Sequence, residues 1–183
     1  MKILLVFIGL VLFAVPFNAA IAQSEAGALV TAVVNNSLVI VSADGDWGLF
    51  ASGNTYVVTP SGFKDPPGPG EGPAVVVSPL AFEIGGDAGS DVQIKLVLPS
   101  SFRSDDESGE LPVISWNYGW NYDDDPFASF VGSGPVAGSG LSLTIGGGAV
   151  AGLFLGATVS VPNEAFPGIY TAQVIASVAY LGN

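Results

Sequence analysis

The amino-acid sequence predicts an all-β domain, a sandwich or barrel of many short strands, on three observations. Helix signals are nearly absent after residue 22. The rest of the chain is rich in Val, Gly, Pro, Ser and Thr, which favour strands and tight turns. Its apolar runs are short and are broken by turn residues, a pattern typical of packed antiparallel sheets.

Residues 1–22 have the pattern of an export signal that is removed from the mature chain. Lys2 is followed by a continuous apolar run from Ile3 to Val15, and Ala20 and Ala22 form a small-x-small cleavage site. The apolar run is too short for a comfortable membrane span. We therefore expect an exported chain that starts at Gln23 and has no stable membrane insertion.

The charge and the missing residue types exclude several classes of function. After residue 22 the chain carries three basic and 16 acidic residues, a net charge of −13, which argues against nucleic acid and anionic lipid as partners. It contains no Cys and no His, which removes disulfides, zinc sites and imidazole or thiol catalysis. We expect no cofactor. Most ordinary hydrolase mechanisms are removed as well, whereas a mechanism with a pair of carboxylates stays open.

In chain order, the strands are assigned from alternation and from the turn residues that bound them. Asn35-Asn36 separates two apolar runs, "TYVVTP" ends at Pro60, and 66–73 is a stiff polar connection without strand content. Further strands are predicted in "AVVVSPLAFEI", "DVQIKLVLP", "GLSLTIGGG" and "GLFLGATVSVP". Residues 100–111 are predicted as an acidic loop, and the Gly-rich stretches 132–140 and 146–152 as turns or bulges. Lys95 is expected to be exposed, opposite the apolar face of its strand.

The last predicted strand shows the clearest alternation in the chain. Tyr170, Ala172, Val174, Ala176, Val178 and Tyr180 would share one face of a single strand.

The opening and the close of the domain carry spaced motifs. "SLVIVSADGDWGLFASGNTYVVTPSG" contains Asp46-Trp47-Gly48 followed by Val58-x-Pro60-x-Gly62, and the end of the chain contains Gly168-x-Tyr170 followed by Val174, Val178 and Tyr180. With "AFEIGGDAGSDVQIKLVLPSS" between them, they resemble a family of small secreted bacterial β-sandwich domains of uncharacterised function. The resemblance extends over most of Leu38 to Tyr180.

The same motifs are similar to those of chaperone–usher pilins, particularly the spore-coat-U-like branch. That resemblance implies an immunoglobulin-like Greek-key β-sandwich, completed by a strand donated from the N-terminal segment of a neighbouring subunit. It also implies self-assembly into an extracellular or cell-surface filament, aided by an assembly chaperone or outer-membrane machinery. Those pilins usually carry a Cys pair, which this chain lacks.

Residues 23–36 are the candidate donor arm, and residues 37–183 form the sandwich domain. In an extended arm, Ala28, Val30, Ala32 and Val34 would face one side. The alternative is that this segment is the first strand of its own sandwich. At the other end of the chain, Tyr170, Val174, Val178 and Tyr180 would form the closing strand used in assembly.

The stretch "SWNYGWNYDDD" raises the possibility of a ligand site. In a strand, Trp116, Tyr118, Trp120 and Tyr122 share a face, and such a row fits a sheet core, an interface between subunits or a platform for sugar rings. Asp123, Asp124 and Asp125 are weak Ca²⁺ candidates, because three sequence neighbours cannot all point at one ion. A solvated loop is the other interpretation.

The predicted function is a non-enzymatic, pilin-like extracellular structural subunit that assembles with copies of itself by strand donation. The alternative is a secreted carbohydrate- or calcium-binding module that uses the aromatic row and the nearby aspartates. A glycosidase with two carboxylates has the least support, since the candidate acids lie in polar loops: Asp106, Glu107, Glu110 and Asp123 to Asp125.

Overall fold

The computed structural model describes residues 38–73, 75–106, 109–123, 125–138 and 140–181. In these ranges the chain forms strands and connections without a helix, as the sequence predicts. The strands are β1 (Val39–Ala43), β2 (Thr55–Val58), β3 (Phe63–Asp65), β4 (Val75–Val76), β5 (Leu80–Gly85), β6 (Asp91–Val97), β7 (Ser101–Ser104), β8 (Glu110–Asn121), β9 (Gly132–Pro135), β10 (Gly140–Thr144), β11 (Val150–Ser160), β12 (Tyr170–Thr171) and β13 (Ile175–Tyr180).

The larger of two antiparallel sheets is built around the two longest strands, β8 and β11. They pair from Gly152↔Asn121 to Val159↔Val113, with one irregularity in register near Thr158. On its other edge, β11 pairs with two strands. Its first half pairs with β5, which in turn pairs with β1. Its second half pairs with β2, which is followed by β3 and β4. The far edge of β8 is shared by β7, which pairs with β12, and by β9.

The smaller sheet consists of β10, β6 and β13, with β6 in the middle. Its alternation matches the sequence pattern, since Val92, Ile94 and Leu96 are buried and Lys95 is exposed. These inward side chains and the inward residues of β5 and β11 belong to one apolar core. Two antiparallel sheets with their apolar faces in a shared core confirm the predicted β-sandwich. The immunoglobulin-like Greek-key order stays a prediction.

Strand β11 is buried on both of its faces. Phe154 points away from the core and is only 2% exposed, because the connection after β8 folds back over it and places Phe130 6.0 Å away, ring centre to ring centre. Gly152 lies under the same connection, where a β-carbon would be 2.2 Å from the Asp123 carbonyl oxygen. The large sheet therefore has a covered centre and exposed margins.

Two segments predicted as loops are strands. Ser101–Ser104 pairs with both β8 and β12, although it lies in the predicted acidic loop. Gly132–Pro135 pairs with β8, where glycine leaves room for the indole of the facing strand: a β-carbon on Gly132 would lie 2.4 Å from Trp120 Nε1. Sequence periodicity does not detect such strands, because tertiary pairing and not side-chain pattern selects them.

The predicted closing strand is divided between the two sheets. Tyr170–Thr171 pairs with β7 in the large sheet, and Ile175–Tyr180 pairs with β6 in the small sheet. The predicted inward face is kept across the break, since Val174 and Ala176 are buried and Tyr170, Val178 and Tyr180 pack against the core. The chain therefore crosses from one sheet to the other at residues 172–174.

Candidate functional site

The first and last strands of the sandwich each keep one edge without a strand partner among the described residues. Within the described ranges, β1 pairs only with β5, and β13 pairs only with β6 in the opposite sheet. An unpaired edge presents a row of backbone donors and acceptors that another strand can bind.

The strands β1 and β13 approach each other at one end. At one end a β-carbon on Gly86 would lie 2.8 Å from Tyr180 Oη and 3.1 Å from Leu38 Cδ1, so the start of β1 meets the end of β13. At the other end, Gly45 and Val174 line one cavity. We call the space between β1 of the large sheet and β13 of the small sheet the β1–β13 groove.

The cavity at the second end, here called the end cavity, has a volume of about 620 Å³ and an aromatic wall. The ring of Trp47 lies 5.1 Å from that of Phe102 and 5.9 Å from that of Trp116, measured between centroids. Trp116 donates from Nε1 to the Pro99 carbonyl, whereas the buried Nε1 of Trp47 has no hydrogen-bond partner within the described chain. Ring packing and its backbone therefore hold Trp47 in place.

The mouth of the end cavity is apolar as well. Leu49, Phe166 and Ile169 line it and are 60%, 66% and 70% exposed. Among the lining residues that the structure describes, Asp46 has the only charged side chain. Large exposed apolar side chains around a concave apolar site are typical of a surface that binds another apolar group.

The Asp46-Trp47-Gly48 motif forms the turn that places Trp47 in the cavity wall. Asp46 accepts a hydrogen bond from the Gly48 N–H through Oδ1 at 3.0 Å, and its backbone forms a bridge to Ser78. Gly48 has a φ of +67°, and a β-carbon there would lie 2.8 Å from Glu71 Oε1. Glycine is therefore required by both its backbone conformation and its surroundings.

Lys64 is buried on the inner face of the large sheet, an arrangement that the sequence analysis missed. Its side chain is fully buried, while its neighbour Phe63 is 49% exposed on the outer face. The ammonium donates to the carbonyls of Trp47 at 3.0 Å and Leu49 at 2.8 Å, and it contacts Glu71 at 2.7 Å. It also lies 5.2 Å from the ring centre of Phe50. A charge in this position needs these partners, since an isolated buried ion is very costly.

Glu71 extends from the proline-rich connection to complete this cluster. Its carboxylate accepts hydrogen bonds from Lys64 at 2.8 Å, from the Leu49 N–H at 3.3 Å and from the Gly68 N–H. Burial alone would raise the pKa of the Glu71 carboxyl, but these hydrogen bonds outweigh it and hold the pKa below its ordinary value of 4.5. The carboxylate is therefore the stable form at neutral pH.

A signal for the Lys64–Glu71 pair is hard to find in the sequence. Strand β3 has three residues, so its alternation cannot show which face is buried. The proline-rich connection contains Glu71 as its one charged residue, and its composition predicts only a stiff polar connection.

Three residues of the aromatic row, Trp116, Tyr118 and Trp120, lie on the inner face of β8, and Tyr122 follows the last residue of the strand. Trp116 is 8% exposed and belongs to the core, while Tyr118 and Trp120 are partly buried against it. Tyr122 is 45% exposed and meets Trp120 edge-on, at 85° between ring planes. The arrangement thus lacks the flat exposed row that would stack on sugar rings.

Among the described residues, the predicted acidic residues form no cluster that could hold a metal ion. Asp125 accepts a hydrogen bond from the Phe127 N–H at 2.8 Å, and buried Asn121 bonds to the backbones of Asp123 and Asp125. Asp124 and Glu107 lie outside the described residues. Within the described ranges, no group of three or more acidic residues is arranged to hold a metal ion. Glu110 pairs with Arg103 at the surface.

The candidate donor arm, with Ala28, Val30, Ala32 and Val34, lies outside the described residues, as does the predicted export signal. In the described ranges, no helix has the length and apolar character needed to cross a bilayer.

Comparisons of the chain with protein-family models, with curated proteins and with solved structures found no match. The site is therefore interpreted from its geometry alone.

Proposed function

We propose that this chain is a non-enzymatic, exported structural subunit that assembles with copies of itself into an extracellular or cell-surface filament. In this proposal the segment 24–35 of one copy occupies the β1–β13 groove of the next copy as an added strand. Two observations support the proposal: β1 and β13 each have an edge without a strand partner among the described residues, and an apolar cavity is lined by Gly45 and Val174, which lie just after β1 and just before β13.

The chemistry of the arm suits the groove. Residues 26–35 carry no charge and are mostly apolar, and in an extended strand their side chains would point alternately to the two faces. The end cavity has Asp46 as its one charged lining residue within the described chain. A seven-residue strand such as 28–34 spans roughly 24 Å, enough to follow β1 along its whole length. Added backbone hydrogen bonds and buried alternate side chains would stabilise the pairing.

The proposal implies that the groove is covered before assembly. Exposed Phe166 and Ile169 at the mouth of the end cavity, together with open strand edges, would promote aggregation of a free subunit. An assembly chaperone or outer-membrane machinery would therefore escort the subunit. The net charge of −13 after residue 22 would keep assembled material soluble and oppose unspecific contacts.

The test uses disulfides, because the chain contains no cysteine of its own. One chain carries Val33→Cys in the arm, a second carries Ala179→Cys on β13, and the two are mixed under mild oxidation. Strand donation predicts a covalent dimer between the two chains, visible by non-reducing electrophoresis. The matched control pairs Val33→Cys with Val131→Cys, an exposed site on the segment preceding β9, and should stay monomeric.

A double variant with both Val33→Cys and Ala179→Cys separates donation from self-pairing. A disulfide that forms only within one chain would show that the arm completes its own sandwich, and it would overturn donation between copies. Filaments seen by electron microscopy that still form after deletion of residues 24–34 would overturn it as well.

A further inference from the structure

The ammonium of Lys64 is coordinated by the backbone that forms the wall of the end cavity. It donates to the carbonyls of Trp47 and Leu49, which lie on either side of Gly48. The segment from Trp47 to Leu49 therefore curves around the ammonium. The indole of Trp47 forms no hydrogen bond within the described residues. The polar contact that positions Trp47 is therefore the one between its backbone carbonyl and Lys64.

Glu71 holds the same segment from the opposite side. Its carboxylate accepts from the Leu49 N–H and from Lys64. A β-carbon on Gly68 would lie 2.0 Å from the Leu49 carbonyl oxygen, so the proline-rich connection packs directly against this turn. Both the carbonyl and the N–H of Leu49 are thus held by one ion pair.

We propose that Lys64 and Glu71 are the positioning pair of the end cavity: they hold the Trp47 ring against Phe102 and Trp116 in the arrangement that accepts an apolar strand. This inference takes the occupant from the proposed function. The positioning of Trp47 by the ion pair stands on its own contacts.

The other charges near Glu71 do not replace Lys64. Asp44 and Asp46 line a second pocket, beside β4, together with Glu71. Asp65 lies on the exposed face of β3. All three are acidic, so they cannot balance the carboxylate of Glu71. Loss of Lys64 leaves that carboxylate without a cation, and protonation of Glu71 removes the anionic partner of Lys64.

The experiment follows two signals in the full chain from Gln23 to Asn183. The first is the affinity for a fluorescent peptide of residues 24–35, measured by anisotropy. The second is the ¹⁹F spectrum of protein labelled with 5-fluorotryptophan, in which a Trp47→Phe variant assigns the Trp47 resonance. The variants are Glu71→Gln and Lys64→Met, and the matched control is Arg103→Gln, which breaks the exposed pair with Glu110.

With Glu71→Gln we expect peptide binding at pH 7 to weaken about tenfold, a change of ~1.4 kcal/mol. The Trp47 resonance should shift or broaden, while the resonance of Trp120 stays in place. In the unsubstituted chain the same change should appear on acidification and should be absent from Glu71→Gln. Arg103→Gln should alter neither signal.

An unchanged Trp47 resonance in Glu71→Gln would overturn the positioning role. Glu71→Gln serves as the decisive variant if Lys64→Met does not fold, because the amide keeps the shape of the carboxylate, which is 18% exposed. If the unsubstituted chain binds no peptide, the strand is overturned as the occupant, and the Trp47 resonance still decides whether the ion pair positions the cavity wall.

Discussion

Lys64 Nζ lies 2.7 Å from Glu71 Oε2, and this contact joins the inner face of the large sheet to the proline-rich connection. The lysine side chain is fully buried and the glutamate side chain is 18% exposed. Two backbone carbonyls complete the coordination of the ammonium. A three-residue strand is thereby joined to the turn that forms the wall of the end cavity.

Replacing Lys64 with methionine should lower the free energy of unfolding by about 2–4 kcal/mol. The substitution removes the cation that Glu71 and two backbone carbonyls share as a hydrogen-bond donor. The change is measured as the shift in the midpoint of denaturant unfolding. Arg103→Gln, at the exposed pair with Glu110, should cost less than about 1 kcal/mol. Equal losses in the two variants would contradict a structural role for the buried pair.

The stability of the chain should fall in acid through Glu71. Because the pKa of this carboxyl is lower in the folded chain than its ordinary value of 4.5, its contribution is fully present above about pH 4.5 and is lost as the pH falls through the folded pKa. Chemical unfolding between pH 7 and pH 2.5 measures this. The Glu71→Gln variant should show a shallower loss over the same range, and an identical pH profile would refute the assignment.

Gly62→Ala should destabilise the fold by about 2 kcal/mol or more. Gly62 has a φ of +76°. A β-carbon there would lie 2.3 Å from the Val77 carbonyl oxygen, which is a steric clash with the backbone. Gly72→Ala is the control, since its position is open and it is not among the glycines with positive φ. We expect Gly72→Ala to be neutral or stabilising by about 0.4–1 kcal/mol. Thermal unfolding followed by circular dichroism compares them.

The aromatic row should divide into a structural and a surface part. Trp116→Ala should cost about 3–5 kcal/mol, because it empties a core site and removes the contacts with Trp47 and Phe102. Tyr122→Ala should cost less than about 1 kcal/mol, since this side chain is 45% exposed. Denaturant unfolding measures both.

Calorimetry against glycans and Ca²⁺ addresses the alternative function. Because Trp116 is buried and the described residues contain no group of three or more acidic side chains arranged for a metal ion, we expect no heat of binding from either class of ligand. Binding that disappears in Trp120→Ala would instead support a carbohydrate-binding module.

Much of the fold follows from local pattern. Val92, Ile94 and Leu96 alternate with polar residues, and in an antiparallel sheet that period alone places them inward. The same reasoning places Val174, Ala176 and Val178 on the inner face, even though the chain changes sheets just before β13. Strands chosen by their partners, such as Gly132–Pro135, carry no such period and could not be assigned in advance.

By itself, the sequence determined the all-β class, the inward faces of the longer strands, and the exclusion of thiol and imidazole chemistry through the absence of Cys and His. Only the three-dimensional arrangement shows which strand edges have no partner among the described residues, where the end cavity lies, and that Lys64 faces inward while Phe63 faces solvent. The difference arises because side-chain alternation depends only on residues that are neighbours along the chain, whereas strand pairing and side-chain partners depend on residues brought together by folding. The partners of Lys64 lie in two connections, the turn with Trp47 and Leu49 and the proline-rich connection with Glu71, and only the folding of the chain brings them to one ammonium.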